Sequence, residues 1–146
     1  MNNQIEVVVF DIDGTLSDRR HRLHYLEGKK NWKGFFKEIV NDPPIQSTVI
    51  ELDKHLKKGR SILFLTGRPE QYRKETERWL KENTPAVEYQ LIMREDKNHE
   101  RDLIFKERIY NTKLKDLKIY KVYDDNDDLL MMWKSKGLIT VNCSID

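Results

Sequence analysis

The chain has 146 residues, 36% of them charged and 38% hydrophobic, with 27 basic against 25 acidic residues and a net charge of +2. That length suits one domain, taken here as 1–146, with a core of its own; the near balance of charge excludes a dedicated nucleic-acid coat or a membrane-surface protein but leaves room for local basic patches. A lone cysteine, Cys143, excludes an internal disulfide, no apolar run approaches the ~18 residues of a membrane span, and Met1-Asn2-Asn3-Gln4 has no signal-peptide character, so a reducing cytoplasm is the expected compartment.

Val7-Val8-Val9-Phe10 predicts a strand over 5–10, buried on both faces. Asp11 and Asp13 follow it, then a Gly14-Thr15 turn. Residues i and i+2 of extended chain point the same way, so the two carboxylates converge. Like charges a few ångströms apart repel by about 4 kcal/mol at an effective dielectric of ~20, which calls for a cation between them or a proton on one. The basic stretch from Asp18 to Glu27 reads as a helix broken at Gly28. Its His21 and His24 lie three apart, but without a thiolate or third histidine they read as solvated helix residues rather than zinc ligands. Asn31 is placed to cap a short helix whose Trp32, Phe35, Phe36, Ile39 and Val40 share one face and are assigned to the core. Asn41-Asp42-Pro43-Pro44 ends it, and a helix over 46–57 is stopped by Gly59.

Ser61 to Thr66 is a second apolar strand, with Gly67-Arg68-Pro69 turning out of it into a helix that carries Tyr72, Thr76, Trp79 and Leu80 and ends near Asn83. Tyr89 to Met93 is a third strand and Asp96 to Glu100 a surface loop. Asp102 to Tyr110 is helical, Leu117 to Tyr123 a fourth strand, Asp127 to Lys136 a helix stopped by Gly137, and Leu138 to Val141 the last strand. This alternation predicts an α/β fold: a doubly wound, mostly parallel five-stranded sheet with helices on both faces, which binds ligands beyond the carboxyl ends of its strands.

Those ends gather the chemistry. The first delivers Asp11 and Asp13; the second Thr66, Gly67 and Arg68; the fourth Asp124 and Asp125, with Asp127 and Asp128 behind. So many acids need a cation, and an all-oxygen set suits Mg²⁺. Asp127 and Asp128 read equally well as metal ligands or as acids at a helix N-terminus. Asp102 and Lys106 lie four apart, acid first, which fits either an ordinary surface pair or a carboxylate orienting an ammonium toward a bound anion.

Asp11-Ile12-Asp13-Gly14-Thr15-Leu16, then Leu65-Thr66-Gly67-Arg68, then Lys106, then Asp124-Asp125 resemble the four ordered motifs of the haloacid dehalogenase-like (HAD) phosphatases, across essentially the whole chain. The resemblance implies that Asp11 is the nucleophile and forms an aspartyl-phosphate. It implies that Asp13 protonates the leaving group and later activates water, and that Thr66 and Lys106 hold phosphoryl oxygens. Mg²⁺ would lie on Asp11, the Asp13 carbonyl, and Asp124 or Asp125.

Met93-Arg94-Glu95, Asp102 through Lys106-Glu107, and Tyr123-Asp124-Asp125-Asn126 through Met132-Trp133 resemble the 3′-phosphatase domain of phage polynucleotide kinase. That likeness implies roles for Arg68 and Asp102 as well. Asn126 departs from it, standing where an arginine is usual, and Thr66 replaces a common serine. Residues 19–44 are more similar to small stand-alone phage-type phosphatases. No Gly-x-x-x-x-Gly-Lys-Ser/Thr loop is present, so no 5′-kinase is read on this chain. Fewer than thirty residues separate Leu16 from Gln46, too few for a folded cap domain. The expected site is open, roofed at most by 19–44, with Arg19, Arg20, Arg22, Arg68 and Arg94 available to a phosphate backbone. The expectation is a Mg²⁺-dependent phosphomonoesterase acting on 3′-phosphate ends of nucleic acid or on nucleotides. Its alternatives are a small-molecule phosphatase or nucleotidase, and a non-catalytic nucleic-acid end-binding module.

Overall fold

A short run of valines and a phenylalanine leading into an aspartate suits a strand covered on both faces at the centre of a sheet. There β1 (Val7–Phe10) lies in the computed structural model, which describes residues 4–145. Met1–Asn3, part of the segment read above as lacking signal character, and Asp146 lie outside the described residues. β1 pairs in parallel with β2 (Ser61–Pro69) and β4 (Ile119–Asp124), and β3 (Tyr89–Arg94) and β5 (Thr140–Asn142) extend the sheet to the order β3-β2-β1-β4-β5. The expected doubly wound parallel sheet forms, and the described residues include no separate cap domain.

Alternation along the strands builds two cores. Val8 and Phe10 of β1 and Ile62 and Phe64 of β2 face α2 (Gln46–Lys57) and α3 (Arg73–Asn83), packing with Leu52, Trp79 and Leu80. Val9, Leu63, Leu65 and Val122 face the other way, against Phe105 and Ile109 of α4 (Asp102–Ile109) and Leu129, Met132 and Trp133 of α5 (Asp127–Ser135). Each such side chain contributes roughly 1.5–3 kcal/mol on burial, so the sheet is held from both sides. No helix among the described residues is long and apolar enough to cross a membrane.

Several elements differ from the sequence reading, each for a physical reason. Gly67-Arg68-Pro69 continues β2 rather than turning out of it, and Pro69 pairs with Arg94 beyond a register break. β1 stops pairing at Phe10, opposite Phe64, so the far end of β2 has an open side where a proline breaks no ladder. A single 3₁₀ turn, Glu70–Tyr72, then precedes α3. The basic stretch is a 3₁₀ helix over Arg20–Leu26, in which residues three apart eclipse.

α1 (Trp32–Lys37), capped by Asn31 Oδ1 accepting from the Gly34 amide at 2.9 Å, gives way to a second 3₁₀ turn at Glu38–Asn41. The change of pitch splits the apolar face: Phe35 and Ile39 are buried, whereas Trp32 and Val40, assigned above to the core, are 50% and 43% exposed. α4 runs on into one wide π turn, Tyr110–Leu114, which swings Leu114 into the core. β4 and β5 begin two residues later than read, because Leu117 and Leu138 are taken up by turns, their amides bonding to Leu114 O and Trp133 O.

Candidate active site

The strand order reverses direction between β1 and β4, and the crevice beyond their carboxyl ends is where α/β sheets place their ligands. Asp11 leaves the end of β1 with its amide bonded to Tyr123 O at 3.0 Å, and Asp124 is the last residue of β4. The chain must turn at once after Asp13. The amides of Thr15, Leu16 and Ser17 all donate to Ile12 O, and Gly14 takes φ +83°. A Cβ on Gly14 would lie 2.1 Å from Arg19 Nη1 and 2.2 Å from Asp125 Oδ2, so any other residue would be strained at this φ and would push both side chains aside.

Asp11, Asp124 and Asp125 each present an oxygen within 4.8 Å of the other two. Lys106, 1% exposed, donates to Asp11 Oδ1 at 2.8 Å and Asp124 Oδ2 at 3.4 Å, with Asp102 Oδ2 3.9 Å away. Burial pushes this ammonium down, but Asp11, Asp124 and Asp102 outweigh it and hold Lys106 protonated, well above its ordinary value. Burial drives the Asp11 carboxyl upward; Lys106 opposes, and the charges of Asp124 and Asp125 add to the rise. Thr15 Oγ1 donates to Asp11 Oδ2 at 3.0 Å, and Asp124 is further held by Trp133 Nε1 at 3.4 Å.

Asp13 is treated differently. Its carboxylate accepts a two-pronged bond from Arg68, Nε to Oδ2 at 3.1 Å and Nη2 to Oδ1 at 2.7 Å, and a further bond from Arg22 Nη2. Burial would raise Asp13; Arg68 and then Arg22 overcome it and hold the carboxyl well below the usual carboxylate range. Arg22 forks in turn onto Asp42 at 2.8 and 2.7 Å, and Trp79 Nε1 donates to Asp42 O at 2.8 Å. The clamp is thus anchored in the α3 core.

The sequence-predicted residues therefore sort themselves. Asp11, Lys106, Asp124 and Asp125 come together, and Asp13 adjoins them through its carbonyl, bridged to Asp125 by Arg19, with its carboxylate on Arg68 and Arg22. Thr66 is buried beside them, its Oγ1 accepting from the Arg68 amide at 3.1 Å. Gly67 lies under Asp102, where a Cβ would come within 2.6 Å of Oδ1, and Asp102 sits half-exposed between Arg94 and Lys106. Arg68 and Arg22, read above as phosphate-backbone contacts, are instead fully buried and spent on Asp13 and Asp42. Arg94 bonds to Gly67 O and Glu100 O, and Arg20 to Asp18. His21 is tied to Asp42 at 2.7 Å, while His24 is exposed.

Asp127 and Asp128 are exposed in the first turn of α5 and do not join the triad; Asn126 is the cap, accepting from the Leu129 amide at 3.1 Å. Asp42, Thr15 and Ser17 were missed. Asp42 carried only the signal of an acid before two prolines, which reads as a helix end.

Arg19 gives the clearest measure of what the acids require. Its Nη1 donates to Asp13 O at 2.9 Å and Asp125 Oδ2 at 3.1 Å, so a cation already sits on a backbone carbonyl and a triad carboxylate. The donor set is all oxygen, and the Asp13 carboxylate is turned away into its clamp while its carbonyl faces Asp125. That set fits a small hard divalent cation.

A family model described as the polynucleotide kinase PNKP phosphatase domain matches residues 5–145. No curated protein matches the chain. Among solved structures, a Pnkp1/Rnl/Hen1 complex aligns with TM-score 0.78 and 23% identity over 97% of this chain and 47% of that one. The Pnkp1/Rnl/Hen1 RNA repair complex aligns with TM-score 0.81 and 22% identity over 97% and 43%. The class C acid phosphatase from Bacillus anthracis with tungstate bound aligns with TM-score 0.67 and 14% identity over 97% and 68%. At these identities the structures speak for the fold, and the chain spans less than half the length of the first two. The match across 5–145 is of another kind: the chain belongs to the polynucleotide kinase PNKP phosphatase domain family and so to the HAD-like phosphoric monoester hydrolases.

Proposed function

We propose that the chain removes the phosphate from 3′-phosphorylated ends of nucleic acid through an aspartyl-phosphate on Asp11, in a Mg²⁺-dependent reaction. The observation that carries this reading is the unequal treatment of two neighbouring carboxylates. Asp11 faces Lys106 and two further acids, while Asp13 is locked by two guanidiniums. The division of roles follows from where a cation could sit: a divalent ion on Asp11 would join Lys106 in holding that carboxyl ionised as the nucleophile, whereas the Asp13 carboxylate, turned into its clamp, is kept off the ion and left to exchange protons.

In the first half, an Asp11 oxygen attacks phosphorus, the bond to the ester oxygen breaks, and the leaving oxygen takes a proton from Asp13. In the second, Asp13 accepts a proton from water as that water attacks phosphorus and releases Asp11. Held as a carboxylate by Arg68 and Arg22, Asp13 is ready for the second half as it stands. For the first, a dianionic phosphate bound alongside raises its pKa and favours the protonated form. Lys106 neutralises charge on the transferred group. Asp11, Asp124, Asp125 and the Asp13 carbonyl are the groups to hold Mg²⁺, which when bound supplies electrophilic polarisation of the phosphoryl oxygens.

A cytoplasmic setting and a partner in nucleic-acid repair accord with this reading. The test is phosphate release from a 3′-phosphorylated oligonucleotide, with and without Mg²⁺, beside p-nitrophenyl phosphate. Metal-dependent release from the oligonucleotide is expected. Release only from the small ester would keep the chemistry and discard the substrate, and release from neither would leave an end-binding module.

A further inference from the structure

We propose that Trp32, Phe36 and Tyr72, flanked by Lys29, Lys30, Lys33 and Lys37, form a stacking and phosphate-tracking surface for single-stranded nucleic acid leading to the site; this rests on the nucleic-acid reading above. The charge is concentrated there. Residues 18–42, which include the Asp18 and Asp42 partners of Arg20 and Arg22, hold seven arginines and lysines against four acids, a net of +3 in a chain whose total is +2. Lys29, Lys30, Lys33 and Lys37 are all exposed, and among the described residues none has a carboxylate partner. Other surface cations do find acids nearby, as in Lys57–Asp53, Arg73–Glu70 and Arg78–Glu82, and what distinguishes these four is that they lie within nine residues of one another. The four lysines therefore form a positive field that no carboxylate pairs with directly, which suits a polyanion.

Rings run through that field. Trp32, half in water, lies nearly parallel to Phe36 with centroids 5.9 Å apart and planes 22° off, and Phe36 packs on Tyr72 at 5.1 Å. Lys30 Nζ stands 5.7 Å from the Trp32 ring. The row continues inward: Phe35 meets Phe36 edge-on at 5.2 Å and lies 4.2 Å beneath the Arg22 guanidinium, which itself bonds to Asp13. Tyr72 follows the end of β2, the strand that supplies Arg68 to the same carboxylate. An aromatic row thus leads from solvent to the site, bordered by unpaired cations. Every base offers a π face to such rings and every phosphate a partner to such lysines, a combination that binds single strands with little sequence preference. A membrane occupant is disfavoured, because a six-residue helix with one exposed tryptophan offers little apolar area to insert.

The experiment is binding of a short 3′-phosphorylated single strand to the Asp11→Asn protein, read by fluorescence anisotropy over a range of salt. Trp32→Ala and the double change Lys33→Glu/Lys37→Glu are added separately, and both are also made in the active protein. The expected result is about tenfold weaker binding for Trp32→Ala. For the lysine pair the slope of log affinity against log salt should be shallower by about 0.7 per lysine. Hydrolysis of p-nitrophenyl phosphate should be unchanged in both. If the parent protein binds and hydrolyses the oligonucleotide and both variants match it, the surface is wrong and the function stands. If the parent hydrolyses only the small ester, the nucleic-acid reading falls and the surface with it. Binding to anionic phospholipid vesicles in place of the oligonucleotide would also overturn the proposal.

Discussion

Arg19 and Lys106 reach different members of one acidic cluster, Arg19 the Asp125 carboxylate and Lys106 those of Asp11 and Asp124, and their tethers give them different roles. Lys106 is buried on α4 and cannot leave without stranding Asp11. Arg19 sits on a loop, its side chain 30% exposed, on oxygens that a divalent cation would use. Arg19→Ala is therefore expected to bind Mg²⁺ more tightly, by about tenfold if the displaced interaction is worth about 1.4 kcal/mol, and to be less stable without metal. Isothermal titration and thermal melting read the two effects, and an unchanged affinity would show that arginine and ion use different oxygens. Asp11→Asn should lower turnover by about 10⁴-fold or more, as loss of a nucleophile does, while its circular dichroism matches the parent's.

The clamp on Asp13 carries a pH dependence with a definite sign. Its folded pKa is depressed, so its stabilisation is complete above the ordinary aspartate value near 4 and drains away as pH falls below it. Arg22→Met breaks a buried ion network and should cost about 3–5 kcal/mol in urea unfolding at neutral pH. That deficit should shrink as the assay pH is lowered through 4; a pH-independent deficit would mean that Arg22 acts through packing alone. The acids at the strand ends were legible because a strand's direction follows from its apolar run. The clamp was not. Arg22 lies in a basic run that looks like solvated surface, and nothing local says that Asp42, twenty residues on, will meet it inside.

At the scale of elements, Asn126 explains its own departure from the related pattern. Its side chain caps α5, and the helix that follows buries Leu129, Leu130 and Trp133 behind Asp124. Asn126→Ala should cost about 1 kcal/mol, or about 2–4 °C in melting temperature for a domain of this size. A larger loss, with activity falling in proportion, would mean that the cap also positions Asp125. Strands and long helices could be read because their periods persist over many residues. The segment 20–41 could not, since its pieces are too short to establish a period and change pitch within a turn. The sequence placed Pro69 in a helix because proline suits a first turn; the open side of β2 decided otherwise.

For the whole molecule, the site is an assembly: β1, β4, α4 and the loop at Arg19 each bring one part, and none holds a functional group alone. The central position of β1 also sets a timetable. Its neighbours start at Ser61 and Ile119, and both of its pairings are parallel, so β1 takes part in no early hairpin. Distant parallel pairing is slow to nucleate, and refolding in the millisecond-to-second range is expected in stopped-flow fluorescence. At roughly 5–20 residues per second on the ribosome, β1 emerges well before β4 and waits with one edge unpaired. The strand that delivers Asp11 is thus made before the strands it pairs with and is enclosed last, and under the proposed mechanism a nascent chain would stay chemically silent until Asp124 arrives beside it.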